Sequence, residues 1–138
     1  MTNVRTVAFR TPDDMHIHLR QGQALRRYAR RVSRSFARGI VMPNLVPAIT
    51  TPPELLSYRN RIQRFTRGFT PLMTFKLVPG LNRHQIAGLR GAEAVAGKYY
   101  PEGVTTNSEN SIRSTKELFL VLESMEEEGL VLCVHAED

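Results

Sequence analysis

The sequence predicts an α/β protein in which helices cover a parallel sheet, and three observations indicate this class. Short apolar segments alternate with amphipathic segments along the whole chain. Each apolar segment is about one strand long, and the amphipathic segments begin or end at helix signals. No internal repeat, low-complexity tract or linker interrupts the alternation. A doubly wound open sheet and a (β/α)8 barrel both fit this pattern.

The predicted strands are short and mostly apolar, as expected for strands buried on both faces of a parallel sheet. The first is interrupted by a turn around Thr11 to Asp14. The five predicted strands cover residues 7–18, 40–42, 72–78, 94–100 and 130–134. The last one leaves an edge without a covering helix. We therefore expect that the chain is truncated at Asp138.

Four helices are predicted between these strands. The apolar stripe of the first is Leu25, Tyr28, Ala29, Val32 and Phe36. The stripe of the second is Leu55, Tyr58, Ile62 and Phe65, and the fourth carries Leu118, Val121, Leu122 and Met125. The third covers residues 83–90, and a polar loop over residues 101–113 precedes the fourth.

The helix ends carry recognisable signals. Capping-box spacing, with an acidic or amide residue three positions after the N-cap, occurs at Thr51 and Glu54, Asn82 and Gln85, and Ser114 and Glu117. Pro52 occupies the first position of the second helix. The helix stops are Gly39, Gly68 and Gly129.

The net charge of +6 is concentrated on the first helix, which carries a cluster of arginines: Arg26, Arg27, Arg30, Arg31, Arg34 and Arg38. This cluster fits either a nucleic-acid patch or a solvated helix face. Its aromatic neighbours, Tyr28 and Phe36, fall on the predicted apolar stripe. We therefore favour the solvated face and expect no nucleic-acid partner.

Composition excludes several other classes. With 41% hydrophobic residues the chain can build a core, and it is too apolar for a disordered tail. No apolar run reaches the roughly 20 residues of a membrane helix, so no membrane partner is expected. The first ten residues lack the apolar segment of a signal peptide. The lone Cys133 fits a reducing compartment, which indicates the cytoplasm.

Polar residues gather at the predicted carboxyl ends of the strands. His16 and His18 end the first strand, Asn44 follows the second, Lys98 lies late in the fourth, and His135 follows the fifth. Catalytic groups collect at this face of a βα barrel. Their positions together indicate a site more strongly than any one residue does.

His16 and His18 are two positions apart, so in a strand both imidazoles point to the same face. They fit either a surface pair or a zinc-ligand pair, and Arg20 continues along that face. Buried Lys98 is either a strand-end lysine that reaches water or an amine whose pKa is low enough to form a carbamate. His135 is either a core histidine or a ligand.

Other polar residues have simpler interpretations. Asp13 and Asp14 are expected to shape a turn, and His84 to lie on the surface. Cys133 is expected to be a buried structural thiol rather than a ligand. Glu137 is either a partner of a ligand or the start of the next loop.

Five ordered blocks of the sequence resemble the shorter, bacterial-type dihydroorotases. They are residues 10–20 (RTPDDMHIHLR), 40–45 (IVMPNL), 69–74 (FTPLMT), 97–101 (GKYYP) with 105–107 (TTN), and 131–137 (VLCVHAE). The match covers essentially the whole chain. It implies a (β/α)8 barrel, of which residues 1–138 would be the N-terminal part of one domain.

The resemblance also implies roles for particular residues. His16 and His18 would bind a first zinc, His135 a second, and carbamylated Lys98 would bridge the two ions. Arg20 and Asn44 would hold the substrate carboxylate, because a guanidinium fork suits a planar carboxylate. Thr105 and Thr106 would lie on a loop that closes over the substrate.

The reaction implied by the family is the interconversion of N-carbamoyl-L-aspartate and L-dihydroorotate in pyrimidine synthesis, by an enzyme that is a homodimer at full length. A further zinc-binding histidine and the general-base aspartate of the family would lie beyond Asp138, so the chain alone is expected to be inactive. Two alternatives stay open: a non-catalytic partner, for example of aspartate transcarbamoylase, and a basic nucleic-acid-binding module.

Overall fold

The computed structural model describes residues 5–103 and 105–136. Strands and helices alternate in the order β1 Asp13–Ile17, α1 Gly22–Val32, β2 Arg38–Val41, α2 Pro52–Gln63, β3 Thr70–Lys76, α3 Arg83–Gly91, β4 Ala94–Tyr99, α4 Thr115–Glu127 and β5 Val131–Val134. The alternation predicted from the sequence is confirmed. Within the described residues, no helix is long and apolar enough to cross a bilayer.

The strands form one all-parallel sheet in which spatial order follows chain order, from β1 to β5. The sheet curls into a half-barrel with the helices outside it. Parallel pairing brings the carboxyl ends of all five strands to one edge. That edge is therefore where the polar residues singled out in the sequence meet.

The core lies between the sheet and the helices. Leu25 and Ala29 of α1, Leu55 and Ile62 of α2, and Phe75 of β3 are fully buried. Strand β3 is buried over consecutive residues from Met73 to Lys76, as expected for a strand covered on both faces. Strand β5 is largely exposed.

The predicted first strand was too long at its N-terminal side. Residues 5–12 have no regular structure, and β1 begins at Asp13. Its partner β2 begins at Arg38, which pairs with Asp13. The Pro12 carbonyl still accepts a hydrogen bond from the N–H of Ala37 at 2.9 Å. A strand needs a neighbour to bond with, and among the described residues no ladder pairs the chain before Pro12.

The predicted core position of Tyr28 is wrong, because 39% of this residue is exposed. Leu25, Ala29 and the partly buried Val32 fill the inner face of α1 without it. Phe36 does pack against the core, but it lies beyond the end of α1 at Val32.

Helix starts follow the predicted signals with one exception. The Glu54 carboxylate accepts hydrogen bonds from the backbone N–H groups of Thr50 and Thr51, and Asn82 and Gln85 form a reciprocal capping box. Ser114 caps α4, but the Glu117 carboxylate accepts from the N–H of Gly80 instead of closing the box. The β3–α3 loop offers this donor from a distant part of the sequence.

Candidate functional site

The candidate site lies at the carboxyl edge of the sheet. His16 is in β1, and His18 follows the last residue of that strand. Asn44 lies in the loop after β2, Lys98 lies in β4, and His135 follows β5 directly. Four strands, β1, β2, β4 and β5, thus bring these five side chains to one edge of the sheet.

His16 and His18 converge. Their Nε2 atoms are 3.2 Å apart, and their ring centroids are 5.2 Å apart. Two nitrogen ligands on one tetrahedral zinc, each about 2.0–2.1 Å from the ion, lie about 3.3 Å apart. The pair therefore has the spacing of two ligands of a single zinc ion.

The electrostatic environment favours neutral imidazoles. Burial lowers the pKa of His16, and the charges of Lys98 and His135 lower it further. Burial also lowers the pKa of His18, with added contributions from His16, Arg20, Lys98 and His135. Neutral imidazole is the form that binds metal. These contributions also place the positive charges within electrostatic reach of the pair.

His135, the third histidine of the site, does not form a three-ligand metal-binding group with His16 and His18. Across the described ranges, no three His, Cys, Asp or Glu side chains are placed so that together they could hold a metal ion. The backbone N–H of His135 donates to the Tyr99 carbonyl at 3.0 Å, and its ring centroid lies 5.8 Å from that of Tyr100. His135 is thus fixed at the β4–β5 side of the site.

Lys98 is buried, with 2% of its surface exposed. Its Nζ donates to the carbonyl oxygen of Val134 at 2.9 Å and lies 5.4 Å from the ring centroid of Tyr100. Burial lowers the pKa of Lys98, while the Cys133 thiol acts in the opposite direction. The amine is therefore shifted toward the neutral form, which is the one that reacts with carbon dioxide.

Asn44 joins the β2 end of the site to the loop between β4 and α4. It is buried, and its Nδ2 donates to the carbonyl of Thr106 at 3.0 Å. Among the described residues, its buried Oδ1 has no hydrogen-bond partner. Thr105 is half-buried and Thr106 is exposed. An amide nitrogen carries two hydrogens, so Asn44 can hold this loop and still donate to a ligand.

Arg20 lies two residues beyond His18 in a left-handed backbone conformation, with φ of 58°. The hydroxyl of Tyr58 donates to the Arg20 carbonyl at 2.6 Å and fixes this turn. Arg20 was expected to continue the strand and to point to the same face as His16 and His18. The strand instead ends at Ile17, before Arg20. The guanidinium is exposed, and its charge still lowers the pKa of His18.

Lys76 was not predicted to belong to the site, although it has the same sequence pattern as Lys98. Both are lysines inside an apolar strand. It ends β3, is 4% exposed, and pairs with Lys98 in the sheet register. Its Nζ donates to the carbonyls of Asn107 at 2.8 Å and Glu109 at 2.6 Å. With Asn44, it fastens the loop over residues 105–110 to the sheet edge.

Tyr100 was also missed. It is 1% exposed, and burial raises its pKa. Its hydroxyl has no hydrogen-bond partner in the part of the chain that the structure describes. Lys98 lies near one side of this residue, and Lys76 Nζ is 6.0 Å from its ring centroid. A buried polar atom without a hydrogen-bond partner is one to which a ligand could supply the missing donor or acceptor.

The remaining polar candidates serve the local fold. Asp14 accepts a hydrogen bond from the N–H of His16, and Asp13 pairs with Arg38. His84 is exposed at the start of α3, as predicted. Cys133 is half-buried, and burial raises its pKa. Glu137 and Asp138 lie outside the described residues.

The chain is similar to curated proteins named dihydroorotase. One from Chelativorans sp. (strain BNC1) is 44% identical over 97% of this chain, and one from Delftia acidovorans is 39% identical over 98%. In both cases the match covers 40% of the relative, so the chain spans about two fifths of these proteins. No protein-family profile matches the chain.

Solved dihydroorotases share the fold. The enzyme from Campylobacter jejuni superposes with a TM-score of 0.85 at 32% identity, over 96% of this chain and 42% of its own. Dihydroorotase from Saccharomyces cerevisiae, solved in complex with 5-fluoroorotic acid, gives 0.84 at 31% identity, over 92% and 36%. The resemblance and the barrel class predicted from the sequence are confirmed.

Proposed function

We propose that this chain, a homologue of the dihydroorotases over nearly its whole length, supplies part of the active site of a zinc-dependent cyclic amide hydrolase. The reaction would interconvert N-carbamoyl-L-aspartate and L-dihydroorotate. The observation that carries the proposal is the 3.2 Å separation of the His16 and His18 Nε2 atoms beside buried Lys98. The homology at about 40% identity supports the hydrolase class.

The residues fit two zinc ions in their chemistry. His16 and His18 would bind the first ion, His135 the second, and a carbamate on Lys98 would bridge them. The lowered pKa values of both histidines and of Lys98 favour the neutral forms that these roles need. When bound, the ions would supply Lewis-acid activation of water and of the ring carbonyl.

The remaining residues would bind and orient the substrate. The Arg20 guanidinium would hold the carboxylate, since its planar fork matches a carboxylate in two hydrogen bonds. Asn44 would donate its second N–H to the same group while its first holds the Thr106 carbonyl. The loop with Thr105 and Thr106 would then lie over the ligand and exclude water. The homodimer and the cytoplasmic location stay predictions.

Zinc content after exhaustive dialysis tests the metal site on this chain. We expect the wild-type chain to retain zinc and His16→Ala to lose it, because one half of the histidine pair is removed. His84→Ala is the matched control, since His84 is exposed on α3 far along the chain from the pair. Zinc retained equally by all three proteins would contradict the assignment of His16. A wild-type chain without zinc would contradict the proposal that these residues hold the ion on this chain alone.

A further inference from the structure

The outer face of α1 carries a surface of unpaired arginines. Arg26, Arg27, Arg30, Arg31 and Arg34 line a groove of about 490 Å³ together with Gln23. Arg30 and Arg34 also line a second groove of about 410 Å³, together with Ser33 and with Arg64, Phe65, Thr66 and Arg67, which follow the end of α2. These seven arginines, here called the arginine surface, lie on the outer helical layer and not at the strand ends.

Nothing acidic neutralises this surface. No carboxylate lines either groove, and α1 contains no Asp or Glu. Among residues 5–103 and 105–136, none of the ion pairs involves an arginine of the surface. Arginines three and four positions apart on a helix repel one another. The helix dipole stabilises positive side chains in the last turn of a helix, which explains Arg30 and Arg31 in α1. It does not explain Arg26 and Arg27, which lie earlier in the helix.

The composition of the surface favours phosphate over other anionic partners. Protein interfaces need an apolar, charge-depleted centre, and interfacial membrane helices need a free apolar face. Here Phe65, half-buried in the second groove, is the apolar residue among the lining residues of the two grooves, and the apolar face of α1 is already buried in the core. Nucleic-acid interfaces are polar and strongly positive, and guanidinium groups bind phosphate in two hydrogen bonds.

The exposure of Tyr28 removes one of the two reasons for dismissing a nucleic-acid partner, while Phe36 does pack against the core. The Tyr28 ring was expected in the core, but 39% of the residue is exposed, and it lies one helical turn before Arg31. Tyr28 lines neither groove, but it is the sequence neighbour of Arg27, which lines the first. Exposed aromatic side chains near positive grooves are platforms on which unpaired bases stack. We propose that the arginine surface binds the phosphodiester backbone of single-stranded nucleic acid without sequence preference.

Fluorescence anisotropy with labelled poly(dT), measured from about 50 to 200 mM salt, tests the proposal. We expect binding that weakens steeply with salt. Replacing Arg26, Arg30 and Arg34 together with glutamine, which keeps helix propensity, should reduce the slope of log K against log salt by about 2. The same three changed to lysine should keep most of the slope. Tyr28→Leu should weaken binding without changing the slope.

The matched control removes the same charge elsewhere, by changing Arg83, Arg90 and Arg113 to glutamine. It should bind as the wild type does. Equal loss in both triple variants would show a net-charge effect and overturn the proposal, as would absence of binding at low salt. Displacement of poly(dT) by polyglutamate at the same charge concentration would overturn it in favour of an acidic protein partner. Circular dichroism on every variant confirms that α1 is intact.

Discussion

Two lysines buried on neighbouring strands have different partners. Lys98 Nζ donates to one carbonyl on β5, whereas Lys76 Nζ donates to two carbonyls of the loop that carries Thr105 and Thr106. Burial lowers the pKa of both amines. A reactive amine should donate few fixed hydrogen bonds, while an anchor donates several. The structure therefore separates a candidate carbamate from a loop anchor among side chains of the same type.

We predict that Lys76→Met frees this loop while the sheet stays folded. Methionine fills the buried volume but cannot donate, and each of the two lost hydrogen bonds contributes about 0.5–1.5 kcal/mol. Cleavage by endoproteinase Glu-C after Glu109 should become at least about tenfold faster. Lys116→Met on the exposed face of α4 is the control and should leave the rate unchanged. An unchanged cleavage rate in Lys76→Met would contradict the anchoring role.

At the scale of elements, the start of α2 shows how one carboxylate organises a helix terminus. Glu54 Oε2 accepts hydrogen bonds from the N–H groups of Thr50 and Thr51 and from the Thr50 hydroxyl. Burial alone would raise the pKa of Glu54, but these hydrogen bonds hold it below its usual value. The ionised form therefore stabilises the folded state.

We predict that Glu54→Ala destabilises the chain by about 1 kcal/mol at neutral pH, as loss of a helix cap does. Because the folded-state pKa is depressed, this contribution is fully present above the unfolded-state value, about 4.3, and is lost as pH falls through the folded-state value. Urea unfolding at a series of pH values should show the two proteins converging in acid. The control Glu123→Ala, at an exposed position of α4, should show no such convergence.

The elements were predictable where their signals are local. The caps at Thr51 and Asn82, the apolar strands and the spacing of His16 and His18 all depend on residues within one element. The predictions were wrong where a structural feature depends on a residue that is distant in sequence. The beginning of β1 depends on the length of β2, and the Glu117 carboxylate was taken by Gly80.

The candidate site was predictable for a related reason. Each of its side chains is a polar residue inside or just after an apolar strand, and parallel pairing brings those positions together. What the sequence did not indicate is the contact between loop and sheet. The hydrogen bond from Asn44 to Thr106 joins residues 62 positions apart, and no local pattern encodes it.

At the scale of the whole molecule, the sheet has two outer strands with different exposure. β1 pairs with β2 and β5 pairs with β4, and across the described residues no strand bonds to their outer edges. On β5, Val131 is 61% exposed and Val134 is 47% exposed. An apolar strand with an open edge is a template for pairing with another chain.

We predict that the 138-residue chain self-associates through β5 as its concentration rises. Val131→Lys should suppress this, because a lysine on an edge strand opposes pairing with a second edge. Val7→Lys makes the same change at an 80%-exposed residue outside any strand and should not suppress it. Sedimentation velocity over a concentration series distinguishes the variants. A wild-type chain that stays monomeric throughout would contradict association through β5. Equal suppression by both lysines would show that overall charge, and not the β5 edge, governs the association of the chain.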